Sequence, residues 1–196
     1  MLDDIKFFKE IKSYGFDLNE YALVHSAWLP LLKIRKNGDL DIIISKKLRK
    51  EIFSKEFDLN ATGLPGPLEK RLRVQPSINF YTKYFNLNCN EIINHHSLII
   101  DGVRFVYLSA YLEMKIDRLS KNLKKKYLLF SIRKKLNLLL RSEVKILKKI
   151  EKDRVDLKNI YYFLNSENLN HEIMKFLVRD HKLMNKEFQK KISCLI

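Results

Sequence analysis

Two aspartates two residues apart, Asp39 and Asp41, open a purely aliphatic run at 42–44. In an extended strand such residues point to the same face, so two carboxylates lie side by side at the strand's start. Their repulsion is relieved most simply by a hard divalent cation that favours oxygen ligands, Mg²⁺ foremost. A cation held in this way is how a fold prepares phosphoryl or nucleotidyl transfer. Just upstream, an apolar run ends at His25 and the small hydroxyl residue Ser26, and a basic Asn-Gly turn at 35–38 leads into the carboxylates. Arg35 carries the fork geometry that holds phosphate by charge-assisted hydrogen bonds, with a solvated turn arginine as the alternative. Lys36 and Lys33 add charge nearby.

The elements that must position these residues follow from periodicity and turn chemistry. Helical spacing predicts a helix over 3–14, stopped by Tyr14-Gly15. A first strand is expected over 21–25 and a short helix over 28–33, with Pro30 tolerated in its first turn. The second strand is expected over 39–45, followed by a helix over 46–55. A loop broken by Thr62-Gly63-Leu64-Pro65-Gly66-Pro67 covers 57–70, and 72–74 reads as a short strand. Residues beyond it offer only Tyr81, Tyr84 and Phe85 as apolar anchors. Two strands around Asp101-Gly102 form a hairpin over 97–107. The chain then turns helical at Ser109, read as an N-cap. From 124 onward it is mostly helical, with an apolar stripe from Leu128 to Ile150, further helices over 153–164 and 169–190, and a linker over 165–170. The fold class expected is α+β, a mixed sheet core flanked by helices over 1–119 and a helical C-terminal part over 120–196.

The order of apolar strand, Ser26, short helix, turn, Asp39-Leu40-Asp41-Ile42 and aliphatic strand resembles the nucleotidyltransferase superfamily, the group related to DNA polymerase β. Its pattern is Gly-Ser, roughly ten residues, then acidic–apolar–acidic–apolar. Ser26 stands where the family serine stands, and the family glycine, which lets backbone approach the triphosphate closely, is His25 here. A second block is similar to small nucleotidyltransferase-like proteins, including those of bacterial abortive-infection systems. It comprises a strand at 104–108, a helix with Glu113-Met114-Lys115, and Lys152-Asp153-Arg154-Val155-Asp156-Leu157. Asp153 and Asp156 share a helix face, and Lys115 either pairs with one of them or reaches a phosphate.

The resemblance implies a Mg²⁺-dependent transfer of a nucleoside monophosphate from a nucleoside triphosphate to an acceptor. The acceptor classes are a surface-sugar precursor, a small metabolite, tRNA or a protein. Asp39 and Asp41 would be the catalytic and metal-binding residues, and His25, Ser26, Arg35 and Lys115 would bind nucleotide. A third carboxylate on a neighbouring strand completes two-metal sites; Asp101 and Glu91 are the candidates, and neither context assigns it. A catalytically degenerate fold acting as a binding or regulatory module and a tRNA-directed toxin-type transferase are the alternatives.

Composition bounds these readings. With 196 residues and 46% hydrophobic content the chain can build a real core. Lys and Arg number 38 against 23 acids, a net charge of +15, which suits anionic partners as well as a solvated lysine surface. Lys121 to Lys126, with Lys145, Lys148 and Lys149, are expected to form a basic helical face with few aromatic residues to stack on bases. Arg71 and Arg73 are expected on one side of a strand. His95-His96 would point to opposite faces of a strand, and His171 and His181 would roughly share a helix face but lack a third ligand, so all four read as structural or surface. No apolar run approaches the ~20 residues of a membrane span, and the acidic start, Met-Leu-Asp-Asp, predicts no secretory signal. Cys89 and Cys194 lie far apart and are expected as free thiols in a cytoplasmic protein.

Overall fold

A computed structural model describes residues 6–36, 39–54, 71–75, 78–81, 83–84, 87–136, 141–166 and 171–194. The expected loop over 57–70, the Asn37-Gly38 turn, Phe85 and most of the 165–170 linker lie outside the described residues. The chain divides into two compact units, Met1–Leu108 and Ser109–Ile196, whereas the sequence suggested a division at 119/120.

In the first unit the elements run α1 (Lys6–Ser13), β1 (Tyr21–Val24), a 3₁₀ turn (His25–Ala27), α2 (Trp28–Leu31), β2 (Leu40–Ile44), α3 (Lys46–Ser54), β3 (Arg71–Gln75), β4 (Ile78–Tyr81), β5 (Lys83–Tyr84), β6 (Leu87–Asn88), α4 (Cys89–His95), β7 (Ser97–Ile100) and β8 (Val103–Val106). Six strands form one mixed sheet in the order β3-β4-β2-β1-β8-β7, and β5 pairs with β6 separately. β1 runs antiparallel to β2 and parallel to β8, while β4 runs parallel to β2. The architecture is α+β, a mixed sheet flanked by helices.

The central strands explain their own placement. Every residue of β1 is buried, as a strand covered on both faces requires. Phe8 of α1 meets Phe105 of β8 edge-on at 5.3 Å, and α4 packs on β1 and β7 through buried Cys89 and Ile92. The Trp28 indole is buried and donates from Nε1 to the Val106 carbonyl at 2.8 Å, so the segment after β1 is fixed to the end of β8 without an orphaned donor. Ser45 caps α3, accepting from the Leu48 amide at 3.0 Å, while its hydroxyl donates to Glu20. The expected hairpin is present: Asp101 and Gly102 have φ of +49° and +74°, the left-handed pair that a two-residue turn between twisted strands needs.

The second unit is helical: α5 (Leu108–Leu136), α6 (Arg141–Leu164), α7 (His171–Leu177) and α8 (Lys186–Ser193). Its buried apolar side chains include Leu112, Leu119, Leu157, Ile160, Leu177 and Ile192, and α6 packs against α8. Ser109 is not the cap of α5. The helix begins one residue earlier, and the Ser109 amide donates to the buried Asp180 carboxylate at 2.7 Å. A remote side chain thus satisfies one of the open amides of the first turn. Asp180 also breaks the helix expected across 169–190, accepting from the Leu183 amide at 3.3 Å in the turn between α7 and α8.

Of the expected apolar stripe from Leu128 to Ile150, Leu128, Val144 and Leu147 are exposed and Ile150 is buried. Leu128 is 62% and Tyr127 69% exposed. Leu128 lies nine residues past buried Leu119, about two and a half helical turns, which puts it on the opposite side of α5. Among the described residues no helix is long and apolar enough to cross a membrane.

Candidate functional site

The antiparallel register of β1 and β2 pairs Val24 with Asp41. The chain therefore leaves β1 and turns through His25–Ala27 beside the point where Asp39 and Asp41 enter β2. Along 39–42 the burial alternates: Asp39 is exposed, Leu40 buried, Asp41 half-buried and Ile42 buried. The two carboxylates thus share the face that Leu40 and Ile42 leave, as the two-residue spacing requires.

β4 supplies two partners for the carboxylates. It runs parallel to β2 with Asp41 opposite Asn79 and Ile43 opposite Tyr81. Asn79 is 1% exposed, and its Nδ2 donates to Asp41 Oδ1 at 3.0 Å and to Asp39 Oδ2 at 3.5 Å. The Tyr81 hydroxyl donates to the same Asp41 oxygen at 3.0 Å. A buried amide and a phenol therefore converge on the carboxylate pair, partly offsetting its charge by hydrogen bonds to ionised acceptors. Sequence reasoning missed Asn79 altogether and read Tyr81 only as an apolar anchor. The available signal was the alternation Ile78-Asn79-Phe80-Tyr81, a short period-two pattern.

Neither candidate for a third acid stands on that neighbouring strand. Glu91 is occupied at the start of α4, where it and Asn88 form a reciprocal capping box: Asn88 N donates to Glu91 Oε2 at 2.6 Å and Glu91 N to Asn88 Oδ1 at 3.0 Å. Asp101 sits in the hairpin turn, 3.4 Å from Lys12 Nζ. Among the described residues no group of three or more His, Cys, Asp or Glu is gathered to hold a metal ion; the cluster here is two carboxylates and a carboxamide. Asp39, Asp41 and the Asn79 side chain can all offer oxygen, the donor type that Mg²⁺ takes.

His25 has φ +54°, the left-handed region in which a side chain is strained and glycine is not. Its ring meets that of Tyr81 edge-on at 5.6 Å, so it joins the cluster through Tyr81. Ser26 follows in the same 3₁₀ turn; its side chain lies outside what is described. The Arg35 guanidinium donates from Nη1 to the Lys36 carbonyl at 3.2 Å. The side chains of Arg71 and Arg73 also lie outside the described set.

Lys115 belongs to the other unit. It is 2% exposed, and its ammonium donates to Asp153 Oδ1 at 2.7 Å and Asp156 Oδ2 at 2.5 Å. Arg118 also donates to Asp153, from Nε at 2.7 Å. Two cations thus meet two buried carboxylates on adjacent turns of α6, and a phosphate reaching Lys115 would have to displace a carboxylate. Both carboxylates, and not one alone, take up the lysine, and the pairing holds α5 to α6 within the second unit.

The two thiols are free, Cys89 buried and Cys194 exposed. Burial, with a smaller contribution from the Glu20 carboxylate, pushes the Cys89 thiol up to about 12 against a small opposing pull from Arg104. It is a packed side chain and not a nucleophile at neutral pH. His95 ends α4 and His96 follows it, while His181 is exposed in the turn after α7. Compared with protein-family models, with curated proteins and with solved structures, the chain matches none.

Proposed function

We propose that this chain is a Mg²⁺-dependent nucleotidyltransferase-like protein that binds a nucleoside triphosphate at the head of β2. The observation that carries the reading is the pairing of Val24 with Asp41. It sets the turn His25–Ala27, which leads into α2, beside two carboxylates on one strand face, so a polyphosphate and its cation would have ligands from consecutive elements. The left-handed backbone at His25 adds support, because it is the conformation expected of a residue standing in for the family glycine. Asp39 and Asp41 would hold Mg²⁺, and the ion would neutralise the triphosphate's charge. Arg35 and the turn at Ser26 would position the phosphates. An acceptor hydroxyl would then take the nucleoside monophosphate as pyrophosphate leaves.

A second reading, that of a nucleotide-binding or regulatory module without turnover, is favoured by Asn79. The position opposite Asp41 on β4 carries a carboxamide, which cannot act as a base in the way a third carboxylate would.

One assay separates the two. The protein is incubated with Mg²⁺ and each α-labelled nucleoside triphosphate, alone and with candidate acceptor pools, and retained label and released pyrophosphate are measured. Pyrophosphate release lost in Asp41→Asn supports transfer. Retention of label without release supports the binding module. Neither retention nor release with any triphosphate contradicts both.

A further inference from the structure

We infer that the Asp39–Asp41 site is built for a single divalent cation, with Asn79 as the positioning residue that sets this number. The inference rests on the nucleotidyltransferase-like reading above and goes further, because it states which half of such a site this chain retains.

The argument starts from register. Parallel pairing of β2 with β4 places position 79 directly opposite Asp41. Two cations that clamp an attacking and a leaving oxygen lie ~3.5–4 Å apart and need anionic ligands on both sides. The strand position available for the second anionic ligand is 79, and its side chain is neutral. Two carboxylates balance the charge of one divalent ion. Among the described residues, a second ion would meet the Asn79 carboxamide and the Tyr81 hydroxyl on that side, and neutral oxygen donors hold a doubly charged ion far less tightly than a carboxylate does.

Asn79 is also held too firmly to swing away. It is buried at 1% exposure between Ile78 and Phe80 on a paired strand, and it spans both carboxylates, at 3.0 Å from Asp41 Oδ1 and 3.5 Å from Asp39 Oδ2. Tyr81 fixes the same Asp41 oxygen from two residues further on. The two donors keep the carboxylates oriented before any ion arrives. The chain therefore retains the ligands for the cation that accompanies a triphosphate. Among the described residues none supplies an anionic ligand for a cation that would activate an acceptor oxygen.

The test is a count. Mn²⁺ bound to the full-length protein is measured by electron paramagnetic resonance and equilibrium dialysis. Mn²⁺ is used alone, and then with a non-hydrolysable triphosphate analogue at matched concentration on both sides of the membrane. One Mn²⁺ per wild-type chain with the spectrum of an isolated ion is expected. Asn79→Asp, which adds a charge with almost no change of shape, is expected to bind two with the spectrum of a spin-coupled pair, while Asn79→Ser stays at one. Two ions in the wild type, or one in a folded Asn79→Asp protein, overturn the inference and leave triphosphate binding intact. No Mn²⁺ in the wild type under either condition overturns the metal site itself. The wild-type count decides even if a variant fails to fold.

Discussion

Asp41 and Asn79 face each other across parallel strands, 3.0 Å apart from carboxylate oxygen to amide nitrogen. The pairing joins a residue evident from sequence to one that was not. It makes the carboxylate pair a preorganised cluster, because a buried amide and the Tyr81 phenol already hold the oxygens that a cation would use.

The left-handed backbone at His25 predicts an order of stability among its variants. Glycine tolerates φ +54° without the Cβ clash that alanine suffers. Both variants lose the ring contact with Tyr81, so that loss cancels between them. His25→Gly should exceed His25→Ala in unfolding free energy by about 1 kcal/mol, measured by urea denaturation. Equal stabilities would contradict strain at this residue.

Lys115 is expected to matter for folding of the second unit. Lys115→Met removes the cation shared by two carboxylates that are almost wholly buried. Breaking such a group from one side costs about 3–5 kcal/mol. Lys115→Met combined with Asp156→Asn should recover part of that loss, since one buried charge goes with its partner. Urea midpoints with unchanged slope would report it. A single-variant loss well under ~1 kcal/mol would mean that the group behaves as an exposed ion pair.

The thiols predict a pH dependence. The Cys89 thiol has an ordinary value of 9.0 and is pushed up to about 12 in the fold, mainly by burial. Its contribution is fully present below about 9. As pH rises from there towards 12, the unfolded chain gives up the proton while the folded chain keeps it, so stability falls. Cys89→Ala should flatten that part of the alkaline stability profile. At neutral pH a thiol reagent should modify Cys194 rapidly and Cys89 only on unfolding. Rapid modification of both in the folded protein would contradict the burial of Cys89.

Much of this was legible in the sequence where local chemistry decides structure. The Asp101-Gly102 turn between alternating strands gave the hairpin, and the aliphatic run after Asp41 gave the central strand. What escaped was decided by tertiary pairing. β4 is four residues long, too short for its alternation to place Asn79 until β2 lies beside it. The Asp180 cap joins residues 71 apart in sequence, so Ser109 alone looked sufficient. Lys115 shows a different limit. Helical spacing predicted that Asp153 and Asp156 share a face, but not that both would close on one lysine. The stripe from Leu128 was misread because apolar spacing alone does not say which side of a long helix is covered.

The central claim is that Asp39 and Asp41 form a cation-dependent triphosphate site. Titration calorimetry tests it most directly, with each nucleoside triphosphate added to the wild type and to Asp41→Asn, with Mg²⁺ and with chelator. The account predicts binding of at least one triphosphate that needs Mg²⁺ and falls at least tenfold in Asp41→Asn, about 1.4 kcal/mol, with the variant's melting profile unchanged. Binding that persists equally in chelator and in Asp41→Asn, or no binding of any triphosphate to the wild type, would contradict it.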